Sequence, residues 1–214
     1  MFNFFNIFLI VSLGAFLILF GGRSISIKLK KKINPIKLNF KNNGFKRIIE
    51  VAVFALVNIF VFETLFYSID IKFKIFSFPL NIKIFDLFFL KIFGVVLILA
   101  GFAFFIRGLF DLGYSWRLGI DENNPGKLIT IGIYSFTRNP IYIFFNLYFL
   151  GVFFIYGSFI FLILFVTQLA LLHLEIIEEE KFLFNKFGLN YINYCRRVGR
   201  YFTIHNQATY KQKV

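Results

Sequence analysis

Two groups of polar residues stand out in a chain that is otherwise mostly Phe, Ile and Leu, and both could bind a charged ligand. The first is the stretch 126–142, in which Arg138 and Asn139 directly precede Pro140. Proline suits the first turn of a helix, so Arg138 and Asn139 are predicted to lie at a helix N-terminus. The free backbone N–H groups and the helix dipole favour an anionic group at such a position.

The second group is the acidic stretch 175–180, which follows the last hydrophobic run. If that run continues as a helix, Glu178 can pair with Lys181 three residues later. Glu179 and Glu180 have no cation one turn away, and an unpaired carboxylate near lipid is costly. Each therefore needs a cation from elsewhere, either Arg138 or a cationic ligand. The alternative is a helix end at the interface, with Glu180 in water.

The elements that must position these groups are hydrophobic runs. The chain has 214 residues, of which 58% are hydrophobic and 16% charged, far too apolar for an ordinary soluble domain. We predict an all-α, polytopic membrane protein with about five transmembrane helices and a C-terminal helix after them. The runs span residues 4–20, 48–69, 87–106, 140–156 and 159–174.

The last two runs are separated only by Gly157 and Ser158, which allow no more than a tight turn. The runs are therefore predicted to form an antiparallel helical hairpin. Such a hairpin returns residues 175–180 to the end of the bundle where Arg138 begins the first of its two helices. Two polar groups that lie about forty residues apart in sequence should meet in the fold.

The distribution of basic residues predicts the topology. The net charge is +13, and most of the 24 Lys and Arg residues fall in 23–47, in the loop before residue 139 and after the hairpin. The positive-inside rule puts these segments in the cytoplasm and the N-terminus outside. We expect a multi-pass protein of the inner or cell membrane if the source is bacterial, with its active site facing the cytoplasm. The charge then needs no nucleic-acid partner.

The C-terminal part of the chain resembles a known superfamily. Residues 138–142 approximate the motif Arg-His-Pro-x-Tyr with Asn139 in place of His, a hydrophobic hairpin and a Glu-Glu pair follow, and 187–194 match Phe-Gly-x-x-Tyr-x-x-Tyr. This order, over roughly residues 112–202, resembles the isoprenylcysteine carboxyl methyltransferase and phospholipid methyltransferase superfamily of membrane enzymes. The resemblance implies S-adenosyl-L-methionine as cofactor and a methyltransferase region at 111–214, preceded by helices in 1–110.

The resemblance also implies site residues and partners. Arg138 and Glu179 would be catalytic, and Glu175 would contact the acceptor. The acceptor would be a lipid, a lipidated peptide or a lipophilic small molecule, and the oligomeric state stays open. The implied cofactor contacts are Lys127, Leu128, Ile129, Tyr134, Asn139, Pro140, Ile141, Tyr142, Glu179 and Glu180.

The chain departs from the superfamily pattern at two positions. Asn139 cannot carry a proton at neutral pH as His can, and Glu175 occupies the place where carboxyl methyltransferases have an Arg that contacts substrate. Carboxyl O-methylation and amine N-methylation therefore both remain open. So do a non-catalytic membrane protein that keeps the fold and a membrane reductase of the sterol type, although no Gly-x-Gly-x-x-Gly fingerprint is present.

Other residues have structural interpretations that compete with functional ones. Glu63 lies inside the second hydrophobic run, where a carboxylate is either functional or paired within the bundle. Gly94, Gly101 and Gly108 recur every seven residues and are predicted to let another helix approach closely.

The few cysteines and histidines do not predict a metal site. Cys195 is the single cysteine, and we interpret it as an ordinary thiol near the membrane surface. His173, one of two histidines, is expected to be a hydrogen-bonded histidine of the core or the interface rather than a ligand.

Overall fold

The fold is all-α, as predicted. The computed structural model describes residues 3–31, 44–71, 75–76, 79–115 and 126–203. These residues contain no β-strand, and two short 3-10 helices lie at Gly113–Ser115 and Gly132–Ser135. The α-helices are α1 (Phe4–Lys31), α2 (Phe45–Ser68), α3 (Phe88–Leu112), α4 (Pro140–Tyr156), α5 (Phe159–Phe187) and α6 (Leu189–Arg197).

The helix lengths and compositions fit a polytopic membrane protein. Helices α1, α2, α3 and α5 are long and apolar enough to cross a membrane, and α4 is a shorter apolar helix of 17 residues. Large apolar side chains such as Ile18, Phe88 and Phe110 are exposed on the outside of the bundle, where lipid would cover them. Which end faces the cytoplasm remains a prediction.

Helix α4 forms the centre of the bundle. It packs against α3 and α5, and a helix that is apolar on every side is suited to such an interior position. Phe144 stacks on Phe105 of α3, and Phe149 stacks on Phe60 of α2. These contacts fix the depth and the rotation of α4, whose first turn carries the polar group around Asn139.

The contact between α3 and α4 depends on glycine, as the seven-residue spacing predicted. A Cβ atom placed on Gly94 would lie 2.5 Å from the carbonyl oxygen of Gly151 and 2.9 Å from the Ile155 side chain. A Cβ atom on Gly101 would lie 3.3 Å from Phe144. The two helices can approach this closely only because the side chain is missing.

Replacing Gly94 with Ala is therefore expected to destabilise the protein by about 1–3 kcal/mol, because the helices must move apart. Gly14→Ala in α1 is the matched control, since nothing lies within 4 Å of its Cβ position. That change should be neutral or stabilising by up to ~1 kcal/mol through helix propensity. Thermal unfolding of both variants in one detergent measures the difference, and equal effects would contradict the glycine argument.

Several helices extend beyond the predicted hydrophobic runs. Helix α1 continues from the predicted end at residue 20 to Lys31, so the first part of the basic segment 23–47 is helical. Residues 32–43 of that segment lie outside the described part of the chain. Helix α5 likewise continues from residue 174 to Phe187. The apolar run marks the depth that favours lipid, whereas a helix ends only where its backbone hydrogen bonding is interrupted.

The turn between α4 and α5 is as tight as predicted. Gly157 adopts a left-handed conformation with φ +60°, and a Cβ atom there would collide with the backbone of Phe85. The segment before α3 covers the turn, because Ile84 N–H donates to the Gly157 carbonyl (2.6 Å) and Phe159 N–H donates to the Ile82 carbonyl (2.9 Å). The hairpin thus returns the C-terminal end of α5 to the N-terminal end of α4.

Glu63 has a structural partner. Its side chain is fully buried in α2, and its Oε2 accepts a hydrogen bond from the backbone N–H of Ile75 (2.9 Å). The contact ties the segment after α2 to the bundle. Pairing within the bundle therefore accounts for this carboxylate without a catalytic role.

Candidate functional site

The candidate site lies where three segments meet: residues 132–142, the C-terminal part of α5, and residues 191–203. Glu180 is the point of contact among them. Its Oε1 lies 3.1 Å from Arg138 Nη2, and its carboxylate accepts two hydrogen bonds from Arg200, from Nε at 3.0 Å and from Nη2 at 2.7 Å. The hydrogen bonds to Glu180 raise the pKa of Arg200. The alternative of a water-solvated Glu180 is wrong; this residue is paired twice.

Arg138 pairs with the acidic stretch, which is one of the possibilities that the sequence left open. One Nη atom pairs with Glu180 and the other donates to the Cys195 thiol, so Cys195 helps to position the Arg138 side chain. The Nε–H of Arg138 is buried and has no hydrogen-bond partner in the described part of the chain. This N–H group is available to an anionic group of a ligand, since a buried donor without a partner costs free energy.

Glu179 is arranged differently from its two neighbours. Glu178 pairs with Lys181 at 2.6 Å, as predicted for a continuous helix. Glu179 accepts a hydrogen bond from the Tyr142 hydroxyl (3.1 Å). Within residues 3–31, 44–71, 75–76, 79–115 and 126–203, no cation lies within ion-pair distance of Glu179. A half-buried carboxylate thus lies against α4 with no counter-ion among the described residues.

Tyr134 lies on the same side of the site. Burial raises the pKa of its phenol well above the usual value, and the charge of Glu179 raises it further. The phenol therefore stays protonated at any physiological pH. Its backbone carbonyl accepts a hydrogen bond from the Tyr194 hydroxyl (2.7 Å), which anchors α6 beneath it.

Two more carboxylates, Glu175 and Glu50, continue from Glu179 towards α2, and we call these three residues the acidic lining. Glu175 lies one turn before Glu179 on α5, and the charges of Glu179 and of Glu50 on α2 both act on it. Lys46 Nζ lies 3.8 Å from Glu50 Oε1. The positive charge of Lys46 also acts on Glu175 and on Glu179. Three carboxyl groups and one lysine give the lining an excess of acidic groups.

Asn139 makes a structural contact. Its side-chain Nδ2 donates to the backbone carbonyl of Arg200 (2.9 Å), and the backbone N–H of Arg138 donates to the Gly199 carbonyl (3.1 Å). Asn139 is buried and precedes Pro140 at the start of α4, as predicted. The amide thus holds the segment after α6 against the helix start, which brings the Arg200 side chain to Glu180.

The stretch Lys127, Leu128 and Ile129 approaches the site through α6. Lys127 is exposed, and its backbone N–H donates to Ser115 Oγ (3.3 Å). Leu128 packs against the cluster around Tyr191. The structure does not place these side chains beside the carboxylates, and a role for them would fall to the backbone.

Pro140 and Ile141 face away from the acidic lining. A Cβ atom on Gly108 of α3 would lie 3.2 Å from Pro140 and 3.3 Å from Ile141. These two side chains therefore pack against α3. Tyr142, the next residue, is the member of this turn that reaches Glu179.

His173 is satisfied by a hydrogen bond, as expected from the sequence. Its Nδ1 lies 3.0 Å from the Tyr201 hydroxyl, so it links α5 to the segment after α6.

The sequence reasoning did not pair Arg200 with Glu180 and did not assign Glu50 to the site. The spacing of Lys46 and Glu50, four residues apart at a helix start, was a usable signal for an ion pair but not for its location.

Comparison with known protein families finds a match for part of the chain. Residues 89–190, which run from the beginning of α3 into α6, match the family model described as phospholipid methyltransferase. No curated protein matches the chain. The roles of the individual site residues and the division at 110/111 stay predictions. The match covers just under half of the chain and is to a family of the membrane methyltransferase superfamily that the sequence pattern resembles.

Proposed function

We propose that the protein is an S-adenosylmethionine-dependent methyltransferase that acts on a lipophilic acceptor in the membrane, and that the acceptor group is an amine. The proposal is carried by one observation. Glu179 is a half-buried carboxylate that is hydrogen-bonded to Tyr142 and has no counter-ion among the described residues. A ligand that brings positive charge relieves the cost of such a carboxylate.

The residues around Glu179 fit the charges of the cofactor. Glu179 would bind its ammonium or sulfonium group, and the unpartnered Arg138 Nε–H would donate to its carboxylate. Tyr134 and Tyr142 would line the same space as protonated phenols or as ring faces. When bound, S-adenosylmethionine supplies an activated methyl group, so the protein has mainly to orient the acceptor and to exclude water.

The acidic lining favours an amine over a carboxylate as the acceptor group. Glu175 and Glu50 extend the negative charge towards α2, where a lipid acceptor would approach. A carboxylate on the acceptor would be repelled by this lining, whereas an ammonium would be attracted. An ammonium must lose a proton before its nitrogen can attack, and in this proposal the Glu175 carboxylate would accept that proton. On this account Glu175 binds the acceptor, although carboxyl methyltransferases of the superfamily have an Arg at this place.

The test uses the purified full chain in detergent. Thermal unfolding is measured with and without S-adenosylhomocysteine, and a rise in unfolding temperature is expected because the ligand binds the folded state. Methyl-labelled S-adenosylmethionine is then incubated with the chain and a total lipid extract. The labelled lipid is treated with mild alkali, which hydrolyses methyl esters to volatile methanol and leaves N-methyl groups in place.

The outcomes separate the parts of the proposal. Label that survives alkali supports the amine acceptor, and label released as methanol refutes it in favour of a carboxyl acceptor. A chain that shows neither a thermal shift nor label transfer would refute the methyltransferase assignment itself. In that case the non-catalytic interpretation would hold.

A further inference from the structure

Asp111, near the C-terminal end of α3, reaches the 3-10 helix that carries Tyr134. Its side chain is 14% exposed, and its Oδ2 accepts a hydrogen bond from the backbone N–H of Ile133 (2.6 Å). Ile133 is the second residue of the 3-10 helix Gly132–Ser135, and Tyr134 follows it directly. The bond therefore joins the end of α3 to the backbone beside a residue of the candidate site.

The start of the 3-10 helix needs an acceptor from outside. The first N–H groups of a helix have no carbonyl partner within it. Ile131, which precedes this helix, offers no side-chain hydrogen bond to it. The Asp111 carboxylate supplies that hydrogen bond from a different helix. Without the carboxylate, the half-buried Ile133 N–H would lose this acceptor, at a cost in free energy.

Gly132 makes room for the carboxylate. Its φ is +64°, in the left-handed region that favours glycine, and a Cβ atom there would collide with the Asp111 carboxylate. The close approach of Asp111 to the 3-10 helix thus requires that position 132 carry no side chain. A larger residue at 132 should break the same contact as loss of the carboxylate.

The ion pair with Arg107 does not account for the position of Asp111. Arg107 Nε lies 3.2 Å from Asp111 Oδ2, but the Arg107 side chain is 64% exposed, and exposed pairs contribute little to stability. The same oxygen atom accepts the N–H of Ile133, which is only half-exposed, at a shorter distance. The contact with the 3-10 helix is therefore the more important one.

Tyr134 is held from two sides. Its carbonyl accepts a hydrogen bond from Tyr194 of α6, and Asp111 binds the N–H of the preceding residue. Burial raises the pKa of the Tyr134 phenol most, and the charges of Glu179 and Asp111 raise it further. The phenol thus lies within electrostatic reach of the acidic lining and of Asp111.

We propose that Asp111 is a positioning residue, which fixes Tyr134 in the candidate site by capping the 3-10 helix from α3. That Asp111 fixes Tyr134 rests on the described contacts alone. That Tyr134 in turn orders the cofactor rests on the proposed function. Asn at position 111 can replace Asp, because its amide oxygen accepts the same hydrogen bond, whereas Ala cannot.

The first measurement is hydrogen–deuterium exchange of the full chain in detergent, without ligand, in the peptide that contains residues 131–136. Asp111→Ala is expected to speed exchange of the Ile133 amide about tenfold, as loss of its hydrogen bond allows, and Asp111→Asn to keep most of the protection. Gly132→Ala should act like Asp111→Ala and provides a second variant if the first does not fold.

Arg107→Ala is the matched control, because it removes the ion pair and leaves the hydrogen bond to Ile133 in place. It should change the exchange rate by less than about twofold, as expected for an exposed pair. Unchanged exchange in both Asp111→Ala and Gly132→Ala, or an equal increase in Arg107→Ala, overturns the proposal.

The second measurement is the dissociation constant of S-adenosylhomocysteine. Asp111→Ala is expected to raise it about fivefold and Asp111→Asn less than about twofold, within the range of one hydrogen bond. In a Tyr134→Leu background, Asp111→Ala should have an effect of less than about twofold, because the residue through which Asp111 acts is gone.

The outcomes separate this inference from the proposed function. Equal weakening by Asp111→Ala in both backgrounds would mean that Asp111 does not act through Tyr134, and overturns the inference. A wild type that does not bind S-adenosylhomocysteine refutes the proposed function, and the exchange measurement then still decides whether Asp111 fixes Tyr134.

Discussion

Replacing Glu180 with Gln is expected to lower the stability of the protein by about 3 kcal/mol, because it removes the one carboxylate that two arginines share. The Arg138 side chain is 12% exposed and that of Glu180 is 18% exposed, so water cannot readily solvate the arginine charge that is left unpaired. The Arg200 side chain is 34% exposed, and its partial solvation places the loss at the lower end of the range for buried pairs.

The measurement is thermal unfolding without ligand, with Glu178→Gln as the control. Among the residues that the structure describes, Glu178 pairs only with Lys181, whose side chain is 64% exposed, and such pairs contribute about 1 kcal/mol or less. The two substitutions change the same chemical group two residues apart on one helix. Similar losses from both would mean that the cluster of Glu180 with Arg138 and Arg200 does not hold the C-terminal segment in place.

The contacts between α4 and α5 in the site could be predicted from the sequence, because they follow from helix and turn geometry. The turn at Gly157 makes α4 and α5 antiparallel, so positions at similar distances from it must meet. That reasoning brings Glu180 to Arg138, and it could also have found the pair of amides in the membrane. Asn146 and Gln168 each lie eleven residues from Gly157, and their side chains are hydrogen-bonded.

The contacts of Arg200 could not be predicted in this way. No helical spacing relates Arg200 to Glu180, because α5 ends before Gly188 and α6 lies between the two residues. The position of Arg200 depends on the Asn139 amide, which binds its backbone carbonyl. Likewise the end of α1 at Lys31 was missed, since hydrophobicity reports the depth of the membrane and not the end of the helix.

The substitution with the largest expected effect on the ligand is Glu179→Gln. The side chain keeps its size, its amide oxygen can still accept the hydrogen bond from Tyr142, and a carboxylate without a counter-ion is removed, so the unliganded protein should unfold at the same temperature or a higher one. What is lost is the negative charge that faces the proposed cofactor. Loss of a charged hydrogen bond weakens binding by ~1–3 kcal/mol, which is roughly 5- to 150-fold in the dissociation constant of S-adenosylhomocysteine.

Glu178→Gln is the matched control for this measurement as well, because Lys181 already neutralises Glu178, whereas Tyr142 contacts Glu179. It should change the dissociation constant by less than about twofold, within the small contribution of an exposed pair. The two variants differ only in which face of α5 loses its charge. Equal weakening by both would attribute the effect to the general negative potential of the helix end, and the assignment of Glu179 as the cofactor-binding carboxylate would then be wrong.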